Sequence, residues 1–345
     1  MNNISLLAID IAKNIFQLHG NDRNGKCVYK KRIKRETLVP TISNIPQCTI
    51  VMESCGGSNY WHREFTKIGH TVKLISPQYV KPFVKTNKND ANDAEAIAEA
   101  ASRPSMRYVD VKSVEQQDIQ SLHKIRSRLV KNRTQLANQI RGLLLEYGIT
   151  INKSIYNLNR DLPDILADLE NDLTIITRDF ISDLYEEFLY LGKKIETYNN
   201  KVKHLAKSNE SCQRLLGIEG IGDLSATAIL AIIGDPKNFK NGRHFAAYLG
   251  LVPRQHSSGQ KTKLLGISKR GNTYLRTLLI HGARAVVANA KNKTDKKSLW
   301  IQEKLLRSGY CKTLIALANK SARTAWSILA KNTKYDINYD LKQVA

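Results

Sequence analysis

Short apolar runs, too brief for helices, open the chain. Residues 4–9 form one such run, suited to a buried strand and followed by Asp10. Residues 15–19 and 27–33 predict a hairpin partner and a third strand, separated by the turn-forming Asn21-Asp22-Arg23-Asn24-Gly25. Residues 49–52 are β-branched and apolar, bounded by Pro46 and by Glu53-Ser54-Cys55-Gly56-Gly57, and read as a fourth strand. Trp61, Phe65 and Ile68 share one side of a helix over 59–68. A strand over 71–75 follows, and the Ala-rich stretch 90–101 reads as a helix. Three hairpin-like strands and then β-α-β predict an α/β domain on a mixed sheet.

The period then changes. Leu122, Ile125, Leu129, Leu136, Ile140, Leu143 and Leu144 recur mostly at three- and four-residue intervals, which predicts one long amphipathic helix over 113–147. Gly148 closes it, Pro163 marks a new start, and a second long periodic stretch covers 175–205. Two long, charge-balanced helices predict a coiled-coil hairpin or bundle that spaces or oligomerises, with no chemistry of its own. From 213 onward, Gly-punctuated apolar segments predict a small α domain. It has helices over 274–290 and 313–330 and a polar loop over 254–271. The expected fold is α/β plus all-α, in three regions: 1–110, 111–210 and 211–345.

Charge sharpens this division. The 345 residues carry 54 Lys+Arg against 31 Asp+Glu, a net +23. The first region holds 16 basic and 10 acidic residues and the second 15 and 14, whereas the last holds 23 and 7. A one-signed excess of this size points to a polyanion, and nucleic acid is the first candidate. No apolar run approaches the roughly 20 residues of a membrane helix. The N-terminus lacks the basic region of a signal peptide. Five scattered cysteines with no C-x-x-C spacing argue against a disulfide framework or a structural zinc, so a reducing cytoplasm is the expected compartment.

Candidate chemistry begins with four carboxylates. Asp10 and Glu53 each end an apolar strand, where a charge is expensive unless paired or bound to metal. Asp90 and Asp93 lie three apart at a helix start and so share a face. Singly, each has an ordinary explanation in turns and helix caps. Together they could converge on Mg²⁺, which takes oxygen ligands and keeps positions open for phosphate. The order Asp (strand), Glu (strand), Asp-x-x-Asp (helix) after a β-hairpin start resembles the junction-resolvase (RuvC-like) branch of the ribonuclease H-like fold.

In the basic region, Leu216-Gly217-Ile218-Glu219-Gly220-Ile221-Gly222 resembles a helix–hairpin–helix, whose Gly-rich turn brings backbone N–H groups to a phosphate. Further on, Arg254, Lys261, Lys263, Lys269 and Arg270 surround Ser257-Ser258-Gly259. A serine among cations could act as a nucleophile, although Ser-Gly pairs are mostly turns.

Taken in order, these motifs match a family. Leu7-Ala8-Ile9-Asp10, Met52-Glu53-Ser54-Cys55-Gly56 and Asn89-Asp90-Ala91-Asn92-Asp93-Ala94 carry the N-terminal part of the likeness. Tyr248-Leu249-Gly250-Leu251-Val252-Pro253-Arg254, Ser257-Ser258-Gly259 and Gly266-Ile267-Ser268-Lys269-Arg270-Gly271-Asn272 carry the C-terminal part. Over nearly its whole length the chain resembles a DEDD-type transposase of the insertion sequence 110/1111 family. The resemblance implies that Asp10, Glu53, Asp90 and Asp93 bind Mg²⁺ and that Ser258 attacks a DNA phosphate to form a phosphoserine link, with Ser257 and Ser268 as the other serines in range. It also implies a homo-oligomer, dimer or tetramer, that excises and inserts an element. Its partners would be the element's ends, target DNA and a structured guide RNA, with no membrane. A junction-resolving nuclease using water and an architectural nucleic-acid binder are the competing readings.

Overall fold

The computed structural model describes residues 3–85, 90–258 and 261–336, the side chains of 90, 91 and 261 excepted. Two compact units divide the chain, Met1–Ser113 and Val114–Ala345. Among the described residues, no helix is long and apolar enough to cross a membrane.

The first unit is a sheet covered on both faces. Its elements are β1 (Leu6–Ile11), β2 (Ile15–Asn21), β3 (Cys27–Lys34), α1 (Arg35–Ser43), β4 (Thr49–Glu53), α2 (Ser58–Lys67) and β5 (Thr71–Ile75), followed by α3 (Pro77–Val80), α4 (Asp90–Ala101) and β6 (Tyr108–Val109). The strand order is β3-β2-β1-β4-β5-β6. β1, β2 and β3 form an antiparallel meander, β4 and β5 continue parallel to β1, and β6 closes the edge antiparallel. The period of two sorts the side chains. Leu7, Ile9, Ile50 and Met52 join Leu38, Ile42, Trp61 and Phe65 in one core. Ala8, Val51 and Ile75 meet Ala96, Ile97 and Ala100 in the other. Small residues dominate this second face, so α4 sits close to the strands. α1 and α3 were not expected from the sequence. α1 carries Pro40 in its interior, a residue that ordinarily ends a helix.

The second unit is almost wholly helical. It comprises α5 (Val114–Leu145), α6 (Ile155–Ala167), α7 (Ile175–Ser208), α8 (Glu210–Leu216), α9 (Asp223–Ile233) and α10 (Gly242–Tyr248). The strands β7 (Pro253–Ser258) and β8 (Lys261–Ile267) come next, then α11 (Thr273–Asn289), α12 (Lys296–Ser308) and α13 (Tyr310–Lys331). α5 and α7 run antiparallel, since Arg126 near the start of one bonds Asn199 near the end of the other, and Tyr147 bonds Thr177. Leu129, Leu136, Ile140, Leu144, Ile181, Phe188 and Ile195 fill their seam. Pro163 does not begin a helix as its sequence context implied. It lies inside α6, which starts at Ile155 under a Ser154 cap. The carbonyl of Asn159, left without the N–H that proline lacks, instead accepts from the Tyr185 hydroxyl at 3.3 Å.

A polar link ties the helices of this unit together. His123 on α5 is 4% exposed and lies 2.9 Å from the Tyr274 hydroxyl on α11 and 3.0 Å from the Thr227 hydroxyl on α9. Burial, aided by Arg126, lowers its pKa from 6.5 to about 4. The folded state therefore holds His123 neutral where the unfolded chain takes up a proton, so stability falls as pH drops from about 6.5 towards 4. The expected loss is about 3 kcal/mol at pH 4, taking 1.36 kcal/mol per pH unit. Denaturant titrations at neutral and acid pH measure it, and His123→Gln removes this part of the pH dependence.

Candidate functional site

Two places carry the chemistry the sequence raised, one in each unit. In the first, Asp10 and Glu53 are set by strand register. Ile9 pairs with Met52 across parallel β1 and β4, so Asp10 and Glu53 come one step later on neighbouring strands. Neighbouring strands lie about 4.8 Å apart. Alternation puts both residues on the face of Ala8 and Val51, which α4 covers. Asp93 lies three and four residues before Ala96 and Ile97, the positions through which α4 packs onto that face.

Electrostatics follow from this crowding. Burial pushes the Glu53 carboxyl above its ordinary range, and the negative charge of Asp93 pushes it further. The Cys55 thiol is likewise raised, first by burial and then by Glu53 and Asp10. The charge of Asp93 thus reaches Glu53, and those of Glu53 and Asp10 reach Cys55, a local excess of negative charge that a cation would relieve. Glu95 on the same helix is different, because Lys85 and Lys30 hold it at 2.8 and 3.4 Å. The turn after β4 is pinned by Ser54 N–H donating to the Ile75 carbonyl at 2.7 Å and by the Ser58 hydroxyl donating to the Cys55 carbonyl at 2.9 Å. Among the described residues, no group of three or more His, Cys, Asp and Glu side chains is gathered closely enough to hold a metal ion. The Asp90 side chain lies outside the described residues, as do Gly259 and the Lys261 side chain.

In the second unit, the stretch read from sequence as a loop over 254–271 is an antiparallel ribbon of β7 and β8. Its β7 strand is exposed along its whole length, so no apolar alternation betrayed it. Ser258 ends β7 at the ribbon's tip, opposite Lys261. Ser257 points to the other face and its hydroxyl accepts from the Gln255 amide at 2.7 Å. Ser268 lies at the ribbon's base, its N–H bonded to the Val252 carbonyl. His256, paired with Lys263 and sharing the Ser258 face, was passed over in the sequence because a loop has no faces. Arg254, Lys263, Lys269 and Arg270 are all exposed.

The ribbon's base is built by close backbone approach. Gly250 and Gly271 have positive φ, 71° and 74°. A Cβ on Gly271 would collide with the Tyr248 carbonyl, and one on Gly250 would come within 2.6 Å of the Arg270 N–H. Buried Arg276 closes the joint, donating to the carbonyls of Leu249 and Arg270 at 3.0 and 2.9 Å. Gly271→Ala is therefore expected to cost about 3 kcal/mol or more in denaturant unfolding, because it combines left-handed strain with a backbone clash.

The Gly-rich turn before α9 divides its work. Gly220, at φ 87°, abuts the backbone of Gly282 on α11, where a Cβ would lie 2.8 Å from a carbonyl oxygen. Gly217 makes room for Tyr335, whereas Gly222 has open space around it and begins α9 with no side-chain cap. Glu219 is held by the buried Lys297 at 3.1 Å.

Comparison with known proteins covers both regions. A family model described as transposase, of the DEDD type associated with IS110, matches residues 7–149. A second, described as "Transposase IS116/IS110/IS902 family", matches 212–298. The transposase for insertion sequence element IS1111A of Coxiella burnetii is 51% identical over 335 residues, covering 97% of this chain and 92% of that protein. The chain belongs to the IS110 family of transposases. A probable family 20 transposase of Pseudomonas aeruginosa is 47% identical, over 96% of this chain and 99% of its own length. The transposase for IS1328 of Yersinia enterocolitica is 39% identical, over 97% and 99%. As an IS110-family transposase, the chain is a DNA-recombining enzyme, and its two family matches cover the carboxylate face and the serine ribbon in turn.

Proposed function

We propose that the chain catalyses Mg²⁺-dependent excision and insertion of an insertion sequence, with Ser258 as the nucleophile and a structured RNA as the guide. The observation that carries the reading is the register placing Asp10 beside Glu53 on the face that α4 covers, with Asp93's charge on Glu53. The antiparallel meander followed by parallel β4 and β5 supports assigning the first unit to the ribonuclease H-like fold. Asp10, Glu53, Asp93 and Asp90 would hold the divalent ions, and the donor set fits, being all carboxylate oxygen. When bound, Mg²⁺ supplies charge neutralisation on the phosphate oxygens.

The protein's own part is nucleophilic. The Ser258 Oγ–P bond forms as a P–O bond to the sugar breaks. The hydroxyl proton is lost and the departing sugar oxygen gains one, so the phosphodiester's energy is kept in the phosphoserine link without ATP. Gln255 engages Ser257 on the opposite face, which favours Ser258 as the nucleophile. Arg254, Lys261, Lys263, Lys269 and Arg270 would hold the surrounding phosphates. Gly217, Gly220 and Gly222 would bring the start of α9 to another phosphate, in the manner of a helix–hairpin–helix. The α5–α7 pair serves as a coiled-coil spacer for a dimer or tetramer.

The test is an excision assay with purified protein, a plasmid carrying the element, Mg²⁺ and RNA transcribed from the element's end. Sealed excision that requires both RNA and metal supports the proposal. Cleavage to free ends without rejoining would instead place the chain with water-using junction nucleases.

A further inference from the structure

The second unit holds a groove that neither the carboxylates nor the serine ribbon uses. Of about 650 Å³, it lies between α10 and α13. Its cationic lining is Arg243, Lys320, Arg323, Lys331 and Lys334, and among the described residues Asp336 is the one acidic side chain that lines it. The first wall is a helical stripe. Lys320, Arg323, Ser327 and Lys331 follow one another at three- and four-residue intervals along α13. The opposite face of that helix buries Leu314, Leu317, Ala318, Ala322 and Ala325. From Lys320 to Lys331 the stripe extends about 16 Å at 1.5 Å per residue.

Packing makes this stripe a groove rather than a solvated helix face. Gly242, at the start of α10, lies so close to α13 that a Cβ would meet the Arg323 backbone at 3.0 Å. That approach sets the floor and places Arg243 on the second wall. Past α13, Asn332 takes a left-handed conformation at φ 56°, and the Thr333 N–H bonds the Ile328 carbonyl at 3.1 Å. This turn folds Lys334 back along the groove.

We infer that the α10–α13 groove binds the phosphate backbone of duplex DNA, independently of sequence. Double-stranded DNA carries one phosphate per about 3.4 Å of helix axis on each strand, so a 16 Å stripe laid along the axis spans roughly five on the strand it faces. Hydroxyls interleaved with cations suit phosphate oxygens. Unpaired bases would need an open aromatic face to stack on. Here the Trp326 and Tyr335 rings pack against the hydrophobic core of the unit, which favours duplex over single strand. The groove would grip DNA away from the reacting phosphodiester, and the inference does not depend on which group is the nucleophile.

The test is a salt titration of binding by the full-length chain to random-sequence duplex DNA, followed by fluorescence anisotropy. Arg243→Gln combined with Lys334→Gln alters two exposed side chains, and a thermal melt confirms that folding is kept. The double variant should bind roughly 10- to 100-fold more weakly at about 0.1 M salt, with a log–log salt slope shallower by about two. Lys193→Gln with Lys194→Gln removes equal charge from the exposed face of α7 and should leave the slope unchanged. A hairpin RNA serves as the second probe. The inference is overturned if the groove variant keeps the wild-type slope on DNA, if the α7 variant loses as much, or if only RNA binding falls.

Discussion

Ser258→Ala is expected to abolish the covalent protein–DNA adduct and, with it, strand exchange, by at least about three orders of magnitude. Removing the attacking group of a covalent mechanism commonly costs this much or more, because the remaining residues cannot act in its place. The substitution should leave the fold intact, since Ser258 is exposed at the tip of the β7–β8 ribbon and supports no core. Ser257→Ala separates the two neighbours. Its hydroxyl serves Gln255 on the other face, so adduct formation should stay within severalfold of wild type. Ser268 lies at the ribbon's base, roughly 20 Å of strand from the tip at 3.3 Å per residue, and its replacement should likewise spare the adduct. Denaturing gels of the three variants against labelled element ends read the comparison directly. A Ser258→Ala enzyme that still forms the adduct would end the assignment.

The second large effect concerns the carboxylate face. Asp10→Asn and Glu53→Gln should each reduce strand cleavage by about a thousandfold, the range seen when a group that stabilises transition-state charge is lost. Neither should weaken DNA binding, because both substitutions remove negative charge from a basic protein. The Glu53 change should also stabilise the fold slightly. Burial and Asp93 already raise its carboxyl, so a neutral amide relieves both penalties. Loss of activity together with unchanged or higher thermal stability is thus the signature of a functional carboxylate cluster. A purely architectural binder would keep every DNA transaction in these variants.

Much of this was legible in the chain because its physical causes are local. The runs ending at Asp10 and Glu53 are apolar on both sides, as strands buried between two helical layers must be. A charge ending such a run stands out against it. Asp-x-x-Asp at the start of an Ala-rich helix is equally visible, but its distance from Glu53 is not. That depends on Ala8, Val51, Ala96 and Ala100 being small enough to let α4 settle on the sheet.

The ribbon was misread for the opposite reason. β7 is exposed along its whole length, so it lacks the alternation by which strands are recognised, and only its pairing with β8 reveals it. Helix starts and stops were also hidden where tertiary partners override local rules. Pro163 sits inside α6 because Tyr185 satisfies the stranded Asn159 carbonyl. Glu219, in the Gly-rich turn, finds its counter-charge in Lys297, some eighty residues on, a pairing that no local rule supplies. The excess of positive charge after residue 210 was plain from counting. That three of those cations, Lys320, Arg323 and Lys331, line a groove beside α10 required the packing of Gly242 on Arg323.

The central claim is that one serine, working with the carboxylates, carries DNA on the protein. The most direct measurement is peptide mapping by mass spectrometry of the adduct trapped from purified protein, element-end DNA, candidate RNA and Mg²⁺. A single nucleotide-modified peptide with the phosphate on Ser258, formed by wild type and absent from Asp10→Asn, is the predicted result. Cleaved DNA with free ends and no modified peptide would contradict it.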